Sequence, residues 1–156
     1  MTTFYDEVQE IKAQYPMERS AVLPALRLAQ ERHDGWLPPE ALQEVADALD
    51  LTAAQVQAVA SFYDMLHLEP VGKHLVEVCT NLSCALVGAQ QVLEAFEHEL
   101  GVAPGETSED GEFTLRAIEC AGGCGTAVVV SVDGRYVEPV KPGDVQGIVE
   151  GVRSGD

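Results

Sequence analysis

The chain has 156 residues, of which 46% are hydrophobic, and it carries a formal net charge of −17 at pH 7. Its nine Lys and Arg residues are scattered, which argues against nucleic-acid binding because phosphate contacts need clustered cations. No stretch approaches the roughly 18 consecutive apolar residues of a transmembrane helix, and residues 1–7 resemble no secretory signal, so we expect a cytoplasmic protein. An acidic surface also favours basic partners.

The first 70 residues are predicted to be entirely helical. The predicted helices are four segments, residues 4–14, 21–32, 38–50 and 52–66. Ser20 is placed to cap the second helix, and Thr52 with Gln55 three residues later fits a capping box at the start of the fourth. Because apolar residues recur at helical spacing and the turns are short, these residues predict a small helical bundle.

The pattern changes after residue 70 to a mixture of strands and helices. Predicted strands cover residues 74–79, 113–119, 127–132 and 135–140, and predicted helices cover residues 85–100 and 142–152. The third strand is almost wholly apolar, which predicts a central position, and Asp133-Gly134 is typical of a two-residue hairpin turn. The predicted fold class is therefore α/β, with a helical bundle domain over residues 1–70 and an α/β sandwich over residues 71–156.

Four cysteines carry the chemistry that the sequence indicates. Cys79 and Cys84 form a C-x4-C pair, and Cys120 and Cys124 form a C-x3-C pair. Each pair lies where a predicted strand ends, so both loops can open at one edge of the sheet and bring four thiols together.

Four interpretations of these cysteines remain open from spacing alone. Disulfides are rare in the reducing compartment expected here. Structural zinc also uses short cysteine spacings, and unligated cysteines are often small core residues. A two-iron cluster needs two ligands on each iron, which two separate pairs would supply.

Other ligand and nucleotide sites lack sequence support. None of the four histidines shares a short loop with a cysteine, so we expect no histidine ligand. The chain has no glycine-rich nucleotide loop, so we expect no binding of NADH or flavin by this chain alone.

Nearly the whole chain resembles one known family, the E-type, thioredoxin-like [2Fe–2S] ferredoxin component of NADH:quinone oxidoreductase (complex I). The similarity is carried by motifs around the cysteines and in the helical segment. These are Val78-Cys79-Thr80-Asn81-Leu82-Ser83-Cys84, Phe113-Thr114-Leu115, Glu119-Cys120-Ala121-Gly122-Gly123-Cys124, Leu23-Pro24-Ala25-Leu26, Gly35-Trp36-Leu37 and Val59-Ala60-Ser61-Phe62-Tyr63.

The resemblance implies a thioredoxin-like α/β domain whose Cys79, Cys84, Cys120 and Cys124 hold one [2Fe–2S] cluster. It implies a larger flavoprotein partner that binds NADH and FMN, together with other peripheral-arm subunits, and a docking role for the helical bundle. The chain would exchange single electrons with that FMN at the cytoplasmic face of the membrane, without inserting into it. It would show no enzyme activity alone.

One position departs from the family pattern. Members commonly have an Ala-Pro step shortly after the last cysteine, whereas this chain has Ala127-Val128. The related subunits of NAD-reducing hydrogenases and NAD-dependent formate dehydrogenases therefore remain alternatives. A zinc-binding scaffold is a further alternative.

A DNA-binding helix-turn-helix over residues 38–66 is a third class of interpretation. The charge argues against it, because residues 1–70 hold four Lys or Arg and twelve Asp or Glu, a net charge of −8.

Overall fold

The computed structural model describes residues 2–155 and divides into two compact units, one that ends at Pro70 and one that begins at Val71. The first unit is helical, and the second contains the sheet. Across residues 2–155, no helix is both long enough and apolar enough to cross a lipid bilayer.

The helical unit contains four short helices. They are α1 (Phe4–Lys12), α2 (Val22–Arg32), α3 (Pro39–Leu49) and α4 (Ala53–Ala60). Helix α3 contacts each of the other three, and its apolar face is buried, with Val45 and Leu49 completely so. The unit therefore has its own hydrophobic core around α3.

The helix ends show which capping predictions hold. Thr52 Oγ1 accepts a hydrogen bond from the Gln55 amide, and Gln55 Oε1 accepts one from the Thr52 amide, which confirms the predicted capping box. The cap predicted at Ser20 is wrong. A 3-10 turn over Glu18–Ala21 precedes α2, so Ser20 lies inside that turn and Ala21 takes the N-cap position without a side-chain hydrogen bond.

Helix α4 ends at Ala60, whereas the predicted helix runs to residue 66. Tertiary hydrogen bonds replace helical ones in the following segment. Gln30 Nε2 donates to the carbonyl of Met65 at 3.1 Å, and Gln30 Oε1 accepts from the amide of His67 at 2.7 Å. The carbonyl of His67 accepts from the amide of Leu37 at 2.7 Å. These partners satisfy backbone groups outside a helix, so local propensity is overridden.

The second unit is built on one four-stranded mixed sheet. Its strands are β1 (His74–Cys79), β2 (Phe113–Ile118), β3 (Val130–Val132) and β4 (Arg135–Val137), in the order β2-β1-β3-β4. Strand β1 pairs with β2 in parallel, whereas the β1–β3 and β3–β4 pairs are antiparallel. Strand β3 is internal, as its apolar sequence predicts. The β3–β4 hairpin turns at Asp133-Gly134, and both residues have positive φ, which is typical of the short hairpin turn predicted there.

Three helices accompany the sheet. They are α5 (Leu82–Leu86), α6 (Ala89–Leu100) and α7 (Val145–Ser154). Helix α6 contacts β1, β2 and α7, and its Phe96 is completely buried. The single helix predicted over residues 85–100 is therefore wrong at its start. The chain breaks at Gly88, whose φ of +105° lies in a region that a helix interior does not allow.

Three strands are shorter than predicted. Strand β2 ends at Ile118, one residue before its predicted end at residue 119. Strand β3 begins at Val130 rather than at residue 127, because a 3-10 turn over Cys124–Thr126 leads into an irregular segment. The Ala127–Val128 peptide in that segment is cis. Strand β4 ends at Val137 rather than at residue 140, before Pro139, which has no amide hydrogen for the strand ladder.

Candidate functional site

The four cysteines lie on two loops that leave the same end of the parallel pair β1 and β2. Cys79 is the last residue of β1 and is in register with Ile118, the last residue of β2. Cys120 follows two residues after Ile118, and Thr80 donates both its amide and its hydroxyl hydrogen to the Ile118 carbonyl. Parallel pairing therefore brings the two cysteine loops together. The helical crossover α5–α6 is what allows two strands to run in parallel.

The two cysteines of the first loop are buried, and the two cysteines of the second loop are exposed. Cys79 is 3% exposed and Cys84, within α5, is 2% exposed. Both belong to the hydrophobic core of this unit. Cys120 and Cys124 lie at the surface. All four are free thiols, so the disulfide interpretation is not what the structure shows.

Backbone amides donate hydrogen bonds to three of the four sulfurs. The Gly122 amide donates to Cys120 Sγ at 3.3 Å. The Asn81 amide donates to Cys79 in the same way, two residues along the chain, and the Ala121 amide donates to Cys79 from the other loop. The Val129 amide donates to Cys84. These donors place partial positive charge where thiolates gain negative charge.

The two buried thiols differ in acidity. Burial acts to raise the pKa of Cys79, but the amides of Ala121 and Asn81 and the thiol of Cys84 hold this pKa below the ordinary cysteine value. Burial raises the pKa of Cys84, the Val129 amide opposes the rise, and the nearby charges of Cys79 and Cys124 add to it. Cys79 therefore ionises before Cys84. The hydrogen bond from the Ala121 amide to Cys79 also shows that the two loops adjoin.

Two glycines shape the second loop. Gly122 has a φ of +83°, a backbone conformation that residues other than glycine rarely adopt. A Cβ atom at Gly123 would lie 2.7 Å from Glu138 Oε2 and 2.8 Å from Val129 Cγ2, so the position has no room for a side chain. The backbone of the loop therefore packs closely against Glu138 and Val129.

Structural zinc takes four protein ligands around one ion. Among residues 2–155, no three His, Cys, Asp or Glu side chains form a group that can hold a single metal ion. Two of the four histidines lie beside carboxylates: His74 Nδ1 is 2.8 Å from Asp133 Oδ2, and His33 Nε2 is 3.1 Å from Glu44 Oε2. The donors that the structure offers are four free thiols on two adjoining loops.

Several features of this site carry no sequence signal. The hydroxyl of Tyr136 donates to the Ala121 carbonyl at 2.7 Å, although the two residues are 15 positions apart. The Val129 amide reaches Cys84 only because the segment after the second loop folds back beside α5. Such contacts depend on tertiary structure, which the spacing of the cysteines does not encode.

A family model for the thioredoxin-like [2Fe-2S] ferredoxin matches residues 8–153. The chain belongs to this family. It is 39% identical over 153 residues to NADH-quinone oxidoreductase subunit 2 of Thermus thermophilus, a match that covers 96% of this chain and 84% of that protein. It is 38% identical over 154 residues to an NADH-quinone oxidoreductase subunit of Rhizobium meliloti, with 99% and 91% covered.

Part of a chain in a solved structure of an NAD+-reducing [NiFe]-hydrogenase in the H2-reduced state has the same fold. The TM-score is 0.75 at 20% sequence identity, and the match covers 86% of this chain. The chain spans about a fifth of the hydrogenase chain, because the match covers 22% of it. The similarity supports the α/β fold predicted from the sequence, and the family model supports its thioredoxin-like class.

Membership of the thioredoxin-like [2Fe-2S] ferredoxin family implies a [2Fe–2S] cluster. The donor set fits such a group, since all four thiols are free and cysteine thiolates are the usual ligands of these clusters. The lowered pKa of Cys79 and the amide donors around the sulfurs also fit a site that binds metal through thiolates.

Proposed function

We propose that this chain is an electron-transfer subunit that holds one [2Fe–2S] cluster on Cys79, Cys84, Cys120 and Cys124. In this proposal it exchanges single electrons with the FMN of a partner flavoprotein that oxidises NADH, within an NADH:quinone oxidoreductase. The observation that supports it most is the pair of adjoining loops that carry four free thiols at one end of the sheet.

The proposed complex follows from the relatives. Proteins named as subunits of NADH-quinone oxidoreductase match almost the full length of this chain at 38–39% identity. The hydrogenase is only 20% identical, so its likeness concerns the fold and does not favour that alternative. We propose that the helical unit docks to neighbouring subunits, and that the chain reaches the membrane surface only through them.

Each part of the site has a role in this proposal. The cluster supplies one-electron chemistry, and the protein supplies thiolates, hydrogen bonds and a partly dry environment. The buried Cys79 and Cys84 keep water from one side of the site, and their loop is anchored in the core. The exposed Cys120 and Cys124 leave the other side open towards a redox partner.

Replacement of single cysteines tests the ligand set. In the full chain, Cys79→Ala, Cys84→Ala, Cys120→Ala and Cys124→Ala should each lower the iron and acid-labile sulfide content sharply, because each removes one of four ligands. Ser83→Ala, beside Cys84, is the control and should retain both. If the four alanine substitutions together left the content unchanged, the assignment would be wrong.

The absence of independent activity is a separate expectation. The chain alone should not oxidise NADH, because the flavin and the nucleotide site belong to the proposed partner. A spectrophotometric assay of NADH consumption checks this, and turnover by the purified chain without a flavoprotein would refute it.

A further inference from the structure

The outer strand β4 ends beside the second cysteine loop. Val137 pairs with Val130 and Tyr136 pairs with Ser131, so the last residues of β4 lie opposite the first residues of β3. The segment that precedes β3 is the one that carries Cys120 and Cys124. Side chains from residues 136–138 can therefore reach that loop.

Tyr136 and Cys120 bind opposite sides of one peptide group. The Tyr136 hydroxyl donates to the carbonyl oxygen of Ala121 at 2.7 Å. That carbonyl and the Gly122 amide belong to the same peptide unit, and the Gly122 amide donates to Cys120 Sγ at 3.3 Å. A hydrogen bond to the carbonyl polarises the amide of the same unit, so the hydroxyl both orients and strengthens the donor to sulfur.

Glu138 contacts the next residue of the loop. Its Oε2 atom would lie 2.7 Å from a Cβ atom at Gly123, so the carboxylate lies directly against the backbone that precedes Cys124. Glu138 is exposed. Its negative charge is therefore close to the loop but remains open to screening by salt.

The contacts of Tyr136 and Glu138 should shift the reduction potential of a bound cluster in opposite directions. One-electron reduction adds one negative charge to the proposed cluster and its ligands. A peptide amide that donates to a ligand sulfur stabilises this charge and raises the reduction potential, whereas a nearby carboxylate opposes it and lowers the potential.

We propose that the end of β4 tunes the reduction potential of the proposed [2Fe–2S] site, with Tyr136 as a positioning residue for the Gly122 amide and Glu138 as an opposing negative charge. The proposal rests on the proposed function, since it requires the four cysteines to hold a cluster. Neither residue is a ligand, and neither belongs to the cysteine motifs.

The test is a redox titration of the full chain with its cluster assembled, followed by visible absorption and electron paramagnetic resonance. Tyr136→Phe removes only the hydroxyl and should shift the potential downwards. Glu138→Gln removes only the charge and should shift it upwards. Raising the ionic strength should shrink the Glu138→Gln shift and leave the Tyr136→Phe shift largely unchanged, because exposed charges are screened and short hydrogen bonds are not.

Two control variants carry the same kinds of substitution away from the second cysteine loop. Tyr5→Phe makes the same change at a tyrosine of similar exposure in the helical unit, 56% against 55% for Tyr136. Glu109→Gln removes an exposed carboxylate from the loop before β2, whereas Cys120 follows the other end of that strand. Both controls should leave the potential unchanged.

The outcomes separate the two proposals. Shifts of the same sign, or shifts no larger than the controls at full iron content, would overturn the tuning role and leave the proposed function intact. Loss of the cluster from Tyr136→Phe would also overturn it, because Tyr136 would then serve assembly instead. If the unmodified chain held no iron or sulfide, the proposed function itself would fail.

Discussion

The two cysteine loops present the same thiols in different settings. The first loop holds Cys79 and Cys84 inside the hydrophobic core, at 3% and 2% exposure, on a strand end and a short helix. The second holds Cys120 and Cys124 at the surface, on a glycine-rich segment held by contacts with the edge of the sheet. One half of the site therefore depends on core packing and the other on a few specific contacts.

The largest effect should come from the core beneath the first loop. Phe96 on α6 is completely buried in the same hydrophobic cluster as Cys79 and Cys84. Phe96→Ala should lower the free energy of unfolding by about 3–5 kcal/mol, because it removes a large buried ring and leaves a cavity. Chemical denaturation of the chain without a cluster measures this.

Leu86 provides the matched control for Phe96. It lies on α5, two residues after Cys84, but is 78% exposed. Leu86→Ala should change the free energy of unfolding by no more than about 0.5 kcal/mol. A loss below about 1 kcal/mol for Phe96→Ala would contradict the view that packing on α6 holds the first loop.

A smaller effect is expected at the second loop, from adding a methyl group. Gly123→Ala places a Cβ atom within 2.8 Å of Val129 Cγ2, and Val129 is completely buried and cannot easily move. The cost should be about 1–3 kcal/mol in free energy of unfolding, as for other overpacked sites. Iron content after cluster assembly should fall as well.

Gly125, directly after Cys124, provides the matched control for Gly123. A Cβ atom there meets no atom within 4 Å, so Gly125→Ala should leave both stability and iron content unchanged. Equal effects of the two substitutions would show that close contact with Val129 and Glu138 does not hold the second loop.

The smallest expected effect is at the cap of α5. The side-chain oxygen of Asn81 accepts a hydrogen bond from the Leu82 amide at 2.7 Å. Asn81→Ala should cost about 1 kcal/mol, as for other helix N-caps, whereas Asn81→Asp keeps an acceptor and should cost less. Thermal unfolding of the two variants distinguishes them. Equal losses would argue that the cap contributes little to the first loop.

Sequence patterns predicted the first loop better than the second. The bounds of β1 and the start of β2 follow from short alternating segments, and the hairpin at Asp133-Gly134 follows from turn chemistry. The break at Gly88 was missed, because the apolar periodicity continues through it while one positive φ ends the helix. The end of α4 was missed because Gln30 binds the backbone of Met65 and His67 through tertiary contacts.

The hydrogen bonds from Ala121 to Cys79 and from Val129 to Cys84 could not be read from the sequence at all. They depend on which amides the paired strands bring beside these two cysteines. The residues that donate, such as Ala121 and Val129, are not polar in their side chains, so composition gives no indication of their role.

The two loops together are proposed to hold one two-iron cluster, and the metal content of the protein tests this most directly. The measurement is the iron, acid-labile sulfide and zinc content of the purified full chain, with its visible absorption spectrum. We expect two irons and two sulfides per chain and a red-brown protein. A colourless chain that holds one zinc ion and no sulfide would contradict the proposed cluster.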